Sequence, residues 1–234
     1  QNYFSLKRVS MPSSLSSIGS SAFVNCIHLN SVEIPSKVRS IESSAFKGCT
    51  ELSTVLLSSG IETICSSAFS GCINLSSINL PSSLTSISSE VFYNCKSLSS
   101  IEIPSKVKSI SAYLFYQCSV LNTVVIPSAV TSIGNYAFYY CTGLSSIDIP
   151  AKVTSIGSSA FYMCTDLSSV EIQPQISSIG SSAFSSCTSL ATVVFRGNKN
   201  PSYSGSIFYN TKVTSVLVRP NYISTSFCGY GITI

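Results

Sequence analysis

The stretch Ile149-Pro-Ala-Lys-Val-Thr-Ser-Ile-Gly-Ser-Ser-Ala-Phe-Tyr-Met-Cys164 returns one period earlier as Ile126-Pro-Ser-Ala-Val-Thr-Ser-Ile-Gly-Asn-Tyr-Ala-Phe-Tyr-Tyr-Cys141. Its closing cysteine belongs to a series, Cys26, Cys49, Cys72, Cys95, Cys118, Cys141, Cys164 and Cys187, at an unbroken spacing of 23 residues, each with a phenylalanine three positions before it. A fixed period of this length marks a solenoid, because one unit cannot bury its own apolar face and stacks on its neighbours to do so.

Within the period, apolar positions alternate in L-x-x-V/I-x-I/L, as in Leu98, Ile101 and Ile103 or Leu167, Val170 and Ile172. Period two with β-branched residues predicts a short strand with one face buried. Proline usually follows, at Pro12, Pro35, Pro81, Pro104, Pro127 and Pro150, where its missing N–H ends the ladder and turns the chain. A second inward stretch, V/L-x-x-I, carries Ile18, Ile41, Ile64, Ile87, Ile110, Ile133, Ile156 and Ile179. A Ser-Ser pair then leads into Ala-Phe-x-x-Cys. Serine as N-cap, and Phe and Cys three apart on one face, predict a short helical turn. Each coil is therefore expected to hold a parallel strand, an extended segment and a helical turn, an α/β repeat.

This pattern resembles the BspA-like subclass of leucine-rich repeats, over nearly the whole chain. The resemblance implies a right-handed leucine-rich-repeat solenoid. It also implies a place among surface-exposed adhesive proteins of oral and gut bacteria and of mucosal protists such as trichomonads, whose members bind host matrix and plasma proteins, fibronectin and fibrinogen. It brings no residue-level binding motif with it.

Residues 1–234 are expected to form one solenoid, with regular repeats over 1–195, the first partial, and a divergent last repeat with a C-terminal cap over 196–234. The first unit enters partway, with Leu6, Val9 and Met11 in strand register and Tyr3 at the cysteine position, so an upstream cap or further repeats are expected. After the polar loop Arg196 to Gly205, the period places Ile207 and Asn210 at the phenylalanine and cysteine positions.

Only 9% of the residues are charged, against about 25% in ordinary soluble domains, with serine and threonine filling the difference. The net charge of +4 is dispersed, which gives no basis for nucleic-acid binding. No apolar run is long enough to insert in a membrane, and the N-terminus does not read as a signal peptide. Zinc sites need close cysteine pairs, and only Cys65 and Cys72 fall within ten residues of each other, so no metal is expected. The repeated thiols are read as buried small hydrophobes, and Cys65 and Cys228, off the column, as the candidates for exposed thiols or a stray bridge. His28, the single histidine, has no recurring acidic or cysteine partner. No nucleophile, phosphate-loop or metalloprotease motif occurs, so neither catalysis nor a cofactor is expected.

Function is therefore expected on the outward strand positions, along the concave face by which such solenoids bind. One column is hydroxylic: Ser31, Thr54, Ser77, Ser100, Thr123, Ser146, Ser169, Thr192 and Ser215. The next is mixed: Glu33, Leu56, Asn79, Glu102, Val125, Asp148, Glu171, Val194 and Leu217. Glu33, Asn79, Glu102, Val125, Asp148 and Glu171, with Ser100, Thr123 and Ser146, are the candidate protein-binding residues. Lys37, Arg39, Lys106, Lys108 and Lys152 follow the prolines, where Glu102 would find a lysine across a coil. The sequon Asn74-Leu75-Ser76 has an inward leucine at its centre. The leading expectation is a non-enzymatic, cell-surface or secreted adhesin binding fibronectin, fibrinogen or another host component. The alternative is a cytoplasmic leucine-rich-repeat scaffold or adaptor.

Overall fold

The computed structural model describes residues 5–234, so the expectation for Tyr3 lies outside the described residues. Two parallel ladders run along the stack. In the first, Ser31–Glu33 pairs with Thr54–Leu56, Ser100–Glu102 with Thr123–Val125, and Ser169–Ile172 with Thr192–Phe195, which continues to Ser215–Val218 and Gly231–Thr233. The second joins Ser40–Ile41, Thr63–Ile64 and Ser86–Ile87, then Ser109–Ile110, Ser132–Ile133, Ser155–Ile156, Ser178–Ile179 and Ser202–Tyr203. Period-two patterning works as its physics requires: Val32, Val55, Ile101 and Val124 are buried between exposed or half-exposed neighbours. The prolines open turns, with the Val38 N–H donating to the Pro35 carbonyl at 3.1 Å and Val107 to Pro104 at 3.0 Å.

The expected helical turn is not formed, because no residue among those described is helical. The Ser-Ser-Ala-Phe-x-x-Cys segment is a run of tight turns with two left-handed residues per coil, for example Ser44 at φ 57° and Gly48 at φ 73°. Alternate N–H groups divide their loyalty. Ala45, Lys47 and Cys49 donate three residues back to Glu42, Ser44 and Phe46, while Ser44, Phe46 and Gly48 donate forward to Ser66, Ala68 and Ser70 of the next coil. A helix would close all of these bonds within one coil. Here half of them join coils, and the serine read as an N-cap is instead the first left-handed residue.

Phe23, Phe46, Phe69, Phe92, Phe115, Phe138, Phe161 and Phe184 form a continuous stack, with centroid separations between 5.0 Å and 6.1 Å. Beyond their burial, such pairs contribute about 0.5–1.5 kcal/mol each. Beside them Cys49 through Cys187 are fully buried, and all ten cysteines are unpaired. Thiols alone would be expected to fill space, but each of these also donates. Cys72 Sγ lies 3.3 Å from the Phe46 carbonyl, and Cys141 Sγ 3.0 Å from that of Phe115.

From strand to strand the last coil keeps 23 residues, Val194 pairing with Leu217, but between the strands it is shifted by one. Ser178 pairs with Ser202, and Phe208, not Ile207, stacks on Phe184 at 5.6 Å. Ile207 is buried one place earlier, and Thr211 stands where the cysteine would be, its hydroxyl donating to the Phe208 carbonyl at 2.8 Å. One residue is gained in the Arg196 to Gly205 loop and given up again before the strand Ser215–Val218, so the aromatic stack is kept and the next strand returns to the period. Beyond it, Phe227 lies against Phe195 with ring centroids 4.7 Å apart, and Tyr222 meets Phe195 edge-on.

Candidate protein-binding surface

Register in the first ladder sets the outward columns side by side. Glu33 faces Leu56, Glu102 faces Val125, and Glu171 faces Val194. Leu56 is 56% exposed and Val125 51%, so the first two pairings set an acid beside a solvent-facing aliphatic group, whereas Val194 is half-buried. Asn79 and Asp148 are exposed in segments that keep the repeat without forming strand. Of the nine candidate residues, the structure gathers five, Asn79, Ser100, Glu102, Thr123 and Val125, around one groove of about 530 Å³. A smaller groove of about 230 Å³ shares Thr123 and Val125 and adds Ser146 and Asp148.

The remaining two stand apart. Glu33 lines a separate groove with Met11, Leu56 and Leu57. Glu171 is committed to Arg196, whose Nη2 donates to Oε2 at 2.8 Å, while Gln173 donates to Oε1 at 3.3 Å. That hydrogen bond from Arg196, together with its charge, holds the Glu171 carboxyl below the usual carboxylate range. Glu102 forms no ion pair with a lysine. The ion pairs among the described residues are His28 with Glu51, Arg39 with Glu62, and Arg196 with Glu171. His28 thus has an acidic partner one coil on, at 2.9 Å in solvent, and a lone exposed pair of this kind contributes little. Glu102 and Asp148 are left without an ion pair, each in its own one of two adjoining grooves whose other lining is uncharged. Lys106 and Lys108 line a different groove, of about 780 Å³, with serines of the second ladder.

Serine and threonine outside the outward strand column also join the coils. A recurrent hydroxyl donates to the carbonyl 23 positions earlier: Thr50 to Ile27, Thr85 to Glu62, Thr131 to Lys108, Thr154 to Thr131 and Ser177 to Thr154. Such bonds satisfy carbonyls between the ladders and couple coils without charge. In the sequon, Leu75 is buried and Asn74 exposed. Cys65 is half-exposed, with Glu42 and Ser40 near its sulfur, but Cys228 is buried at 3% exposure, and burial pushes its thiol up to about 12. The expectation of two exposed thiols is thereby reduced to one.

A second surface escaped the sequence reading. Tyr93, Tyr116, Tyr139 and Tyr162 follow the core phenylalanines and stack on one another at 4.6, 4.6 and 5.0 Å. Tyr113 and Tyr136 stack beside them at 4.8 Å, and Tyr140 leans on Tyr139 at 5.0 Å. The signal was the Phe-Tyr dipeptide repeated four times at the period, visible only if the residue after the inward phenylalanine is read as a column. No group of acidic, histidine and cysteine side chains able to hold a metal occurs among the described residues, and no helix long and apolar enough to cross a membrane occurs among them.

Comparison with known proteins agrees with this geometry. The family model for the BspA type leucine rich repeat region matches in six copies, over residues 1–122 and 108–227. A leucine-rich repeat protein from Bacteroides ovatus ATCC 8483 superposes with a TM-score of 0.87 at 29% identity, over 93% of this chain and 56% of that one. This chain thus spans little more than half the length of that relative. A leucine rich cell surface protein from Faecalibacterium prausnitzii A2-165 gives 0.70 at 28% identity, covering 90% of this chain and 69% of the other. A leucine rich repeat protein of T. pallidum gives 0.66 at 34% identity, over 69% of this chain and 78% of that one. Comparison with curated proteins finds no match.

Proposed function

The chain belongs to the BspA type leucine-rich repeat family, and from that premise we propose that it is a non-enzymatic adhesin module, carried at the cell surface or secreted, that binds host proteins such as fibronectin or fibrinogen. Leucine-rich repeats are protein-interaction scaffolds, and their strand face is an extended binding surface. The cell-surface description of the F. prausnitzii protein supports the location.

One observation carries the choice of surface. Glu102, unpaired, stands beside exposed Val125 in a groove that also takes in Asn79, Ser100 and Thr123, with Asp148 in the groove next to it. An exposed aliphatic side chain beside a carboxylate free to accept, within a groove rimmed by hydroxyls, offers a partner both apolar contact and hydrogen bonds. Glu171 is a poorer contributor, because Arg196 already occupies its carboxylate.

The test is binding of the folded chain to immobilised fibronectin and fibrinogen. Replacing Glu102, Val125 and Asp148 together with alanine should weaken binding at least ~10-fold, which corresponds to about 1.4 kcal/mol, with an unchanged melting temperature. Unchanged affinity in a folded triple variant would remove the groove from the interface.

A further inference from the structure

We propose that the stacked tyrosines Tyr93, Tyr116, Tyr139 and Tyr162 are a site of oxidative cross-linking, at which adjacent coils become joined through dityrosine. Their rings lie nearly parallel, with interplanar angles of 4°, 4° and 10° and centroids 4.6, 4.6 and 5.0 Å apart. Parallel rings related by translation along the stack keep their equivalent atoms at a similar separation, so each ring carbon ortho to the hydroxyl faces its counterpart one coil away. Tyr113 approaches Tyr116 at 5.8 Å and Tyr136 approaches Tyr139 at 5.7 Å, which widens the ladder into a contiguous phenol cluster.

The core does not call for this cluster. The phenylalanine stack already supplies aromatic packing in every coil, and the tyrosines are half-buried on the outer side of the turns. Because the rings lie face to face, solvent meets mainly their edges and hydroxyls, which does not suit a ligand that stacks on an aromatic face. It does suit chemistry at the phenol.

The reaction balances with hydrogen peroxide as the oxidant and a haem peroxidase as its catalyst. Each of two phenols gives up one electron and one proton and becomes a phenoxyl radical, with part of its spin on the ortho carbons. The two radicals join ortho to ortho, one carbon–carbon bond forms, and the two ring hydrogens move to oxygen and restore both phenols. Overall two ring C–H bonds are replaced by one C–C bond, and the peroxide leaves as two waters. Each ladder radical has a second phenol within contact distance in its own chain. Exposed Tyr203 and Tyr209 stack on no other ring among the described residues.

Hydrogen peroxide and a peroxidase are added to the folded chain in a Cys65→Ser background, so that the half-exposed thiol does not quench the radicals. Dityrosine fluorescence should appear in the monomer, with the mass falling by two hydrogens per link, and peptide mapping should locate the links between Tyr93, Tyr116 and Tyr139. In Tyr116→Phe with Tyr139→Phe, which keeps the ring stack and removes two phenols, these links should be lost and the fluorescence should fall severalfold. The same oxidation in concentrated urea should lose the preference for these pairs. Absence of dityrosine from the folded chain, an undiminished yield in the double variant, or links formed mainly between molecules through Tyr203 and Tyr209 would each overturn the proposal. None of these outcomes depends on whether the chain binds fibronectin or fibrinogen.

Discussion

Cys95 Sγ lies 3.3 Å from the carbonyl oxygen of Phe69, one coil earlier, and that same oxygen accepts the Cys72 N–H at 3.1 Å. One carbonyl is thus satisfied twice, once within its coil and once from the next. From Cys49 to Cys187 the arrangement repeats, so the cysteine ladder is a column of weak donors as well as a filling for space. Alanine at Cys118 would remove the sulfur and leave a small cavity and a half-satisfied carbonyl. Cys118→Ala should cost about 1–2 kcal/mol, read from urea denaturation, with most of the loss in the coils on either side.

Alkaline pH should unfold the solenoid for a definite reason. Burial raises the thiols from Cys49 to Cys164, Cys118 from 9.0 to about 12, so the folded chain holds protons that the unfolded chain releases. A group whose folded pKa is raised contributes stability that is complete below the unfolded value and is lost as pH rises through the folded one. Stability should therefore fall between pH ~9 and ~12 by about 1.4 kcal/mol per pH unit for each such thiol. Denaturation midpoints measured across this range should drop steeply, and less steeply in Cys118→Ala. A midpoint independent of pH up to ~11 would contradict the buried column.

Thiol labelling separates the remaining cysteines. Cys65 is half-exposed and Cys228 buried, with its thiol held at about 12, so a small alkylating reagent at neutral pH should modify one cysteine quickly in the folded chain. Two rapid equivalents, the second mapping to Cys228, would show that the C-terminal segment opens.

The strands were legible because burial on one face imposes period two, and Val32, Ile101 and Val170 obey it. The turns were misread because Ser, Ala, Phe and Cys at helical spacing are compatible with a helix, and nothing local announces that every second N–H will cross to the next coil. The one available signal lay in a column: Asn25, Gly48, Gly71 and Asn94 share a position and all have positive φ, as those residue types favour. Further on, Gln117, Tyr140 and Met163 adopt the same conformation without a side chain that suggests it. Of the binding surface, the columns could be read from the repeat. That Arg196 takes Glu171 out of its row, and that tyrosines stack outside the core, depend on side-chain reach across coils.

That column makes a clean backbone experiment. Gly71 has φ +75°, and a Cβ placed there would meet nothing closer than the Gly48 backbone at 3.6 Å. Gly71→Ala therefore tests backbone strain without a clash and should cost about 1 kcal/mol, whereas an alanine in an ordinary strand or turn position would be neutral or better. A stability gain on urea denaturation would mean that this position does not hold the left-handed conformation.

One side chain makes four hydrogen bonds to the C-terminal segment. Asn200 donates through Nδ2 to the Ser226 carbonyl at 3.0 Å and to Ser224 Oγ at 3.3 Å. Its Oδ1 accepts from the Tyr222 hydroxyl at 2.7 Å and from the Cys228 N–H at 3.0 Å. A single amide thus closes the loop that seats Phe227 against Phe195 over the last coil. Alanine at this site would strand the buried Cys228 N–H, while the Tyr222 hydroxyl keeps the Ser226 carbonyl at 2.9 Å, a loss of about 1–3 kcal/mol to the local fold. In a stacked array such a loss stays near its origin, because each coil contacts only its neighbours. Asn200→Ala should therefore raise hydrogen exchange across residues 219–234 and expose Cys228 to alkylation, while the amides of the central coils keep their protection. Uniform loss of protection along the whole chain would show instead that the stack unfolds as one cooperative unit and that the segment acts as its clamp.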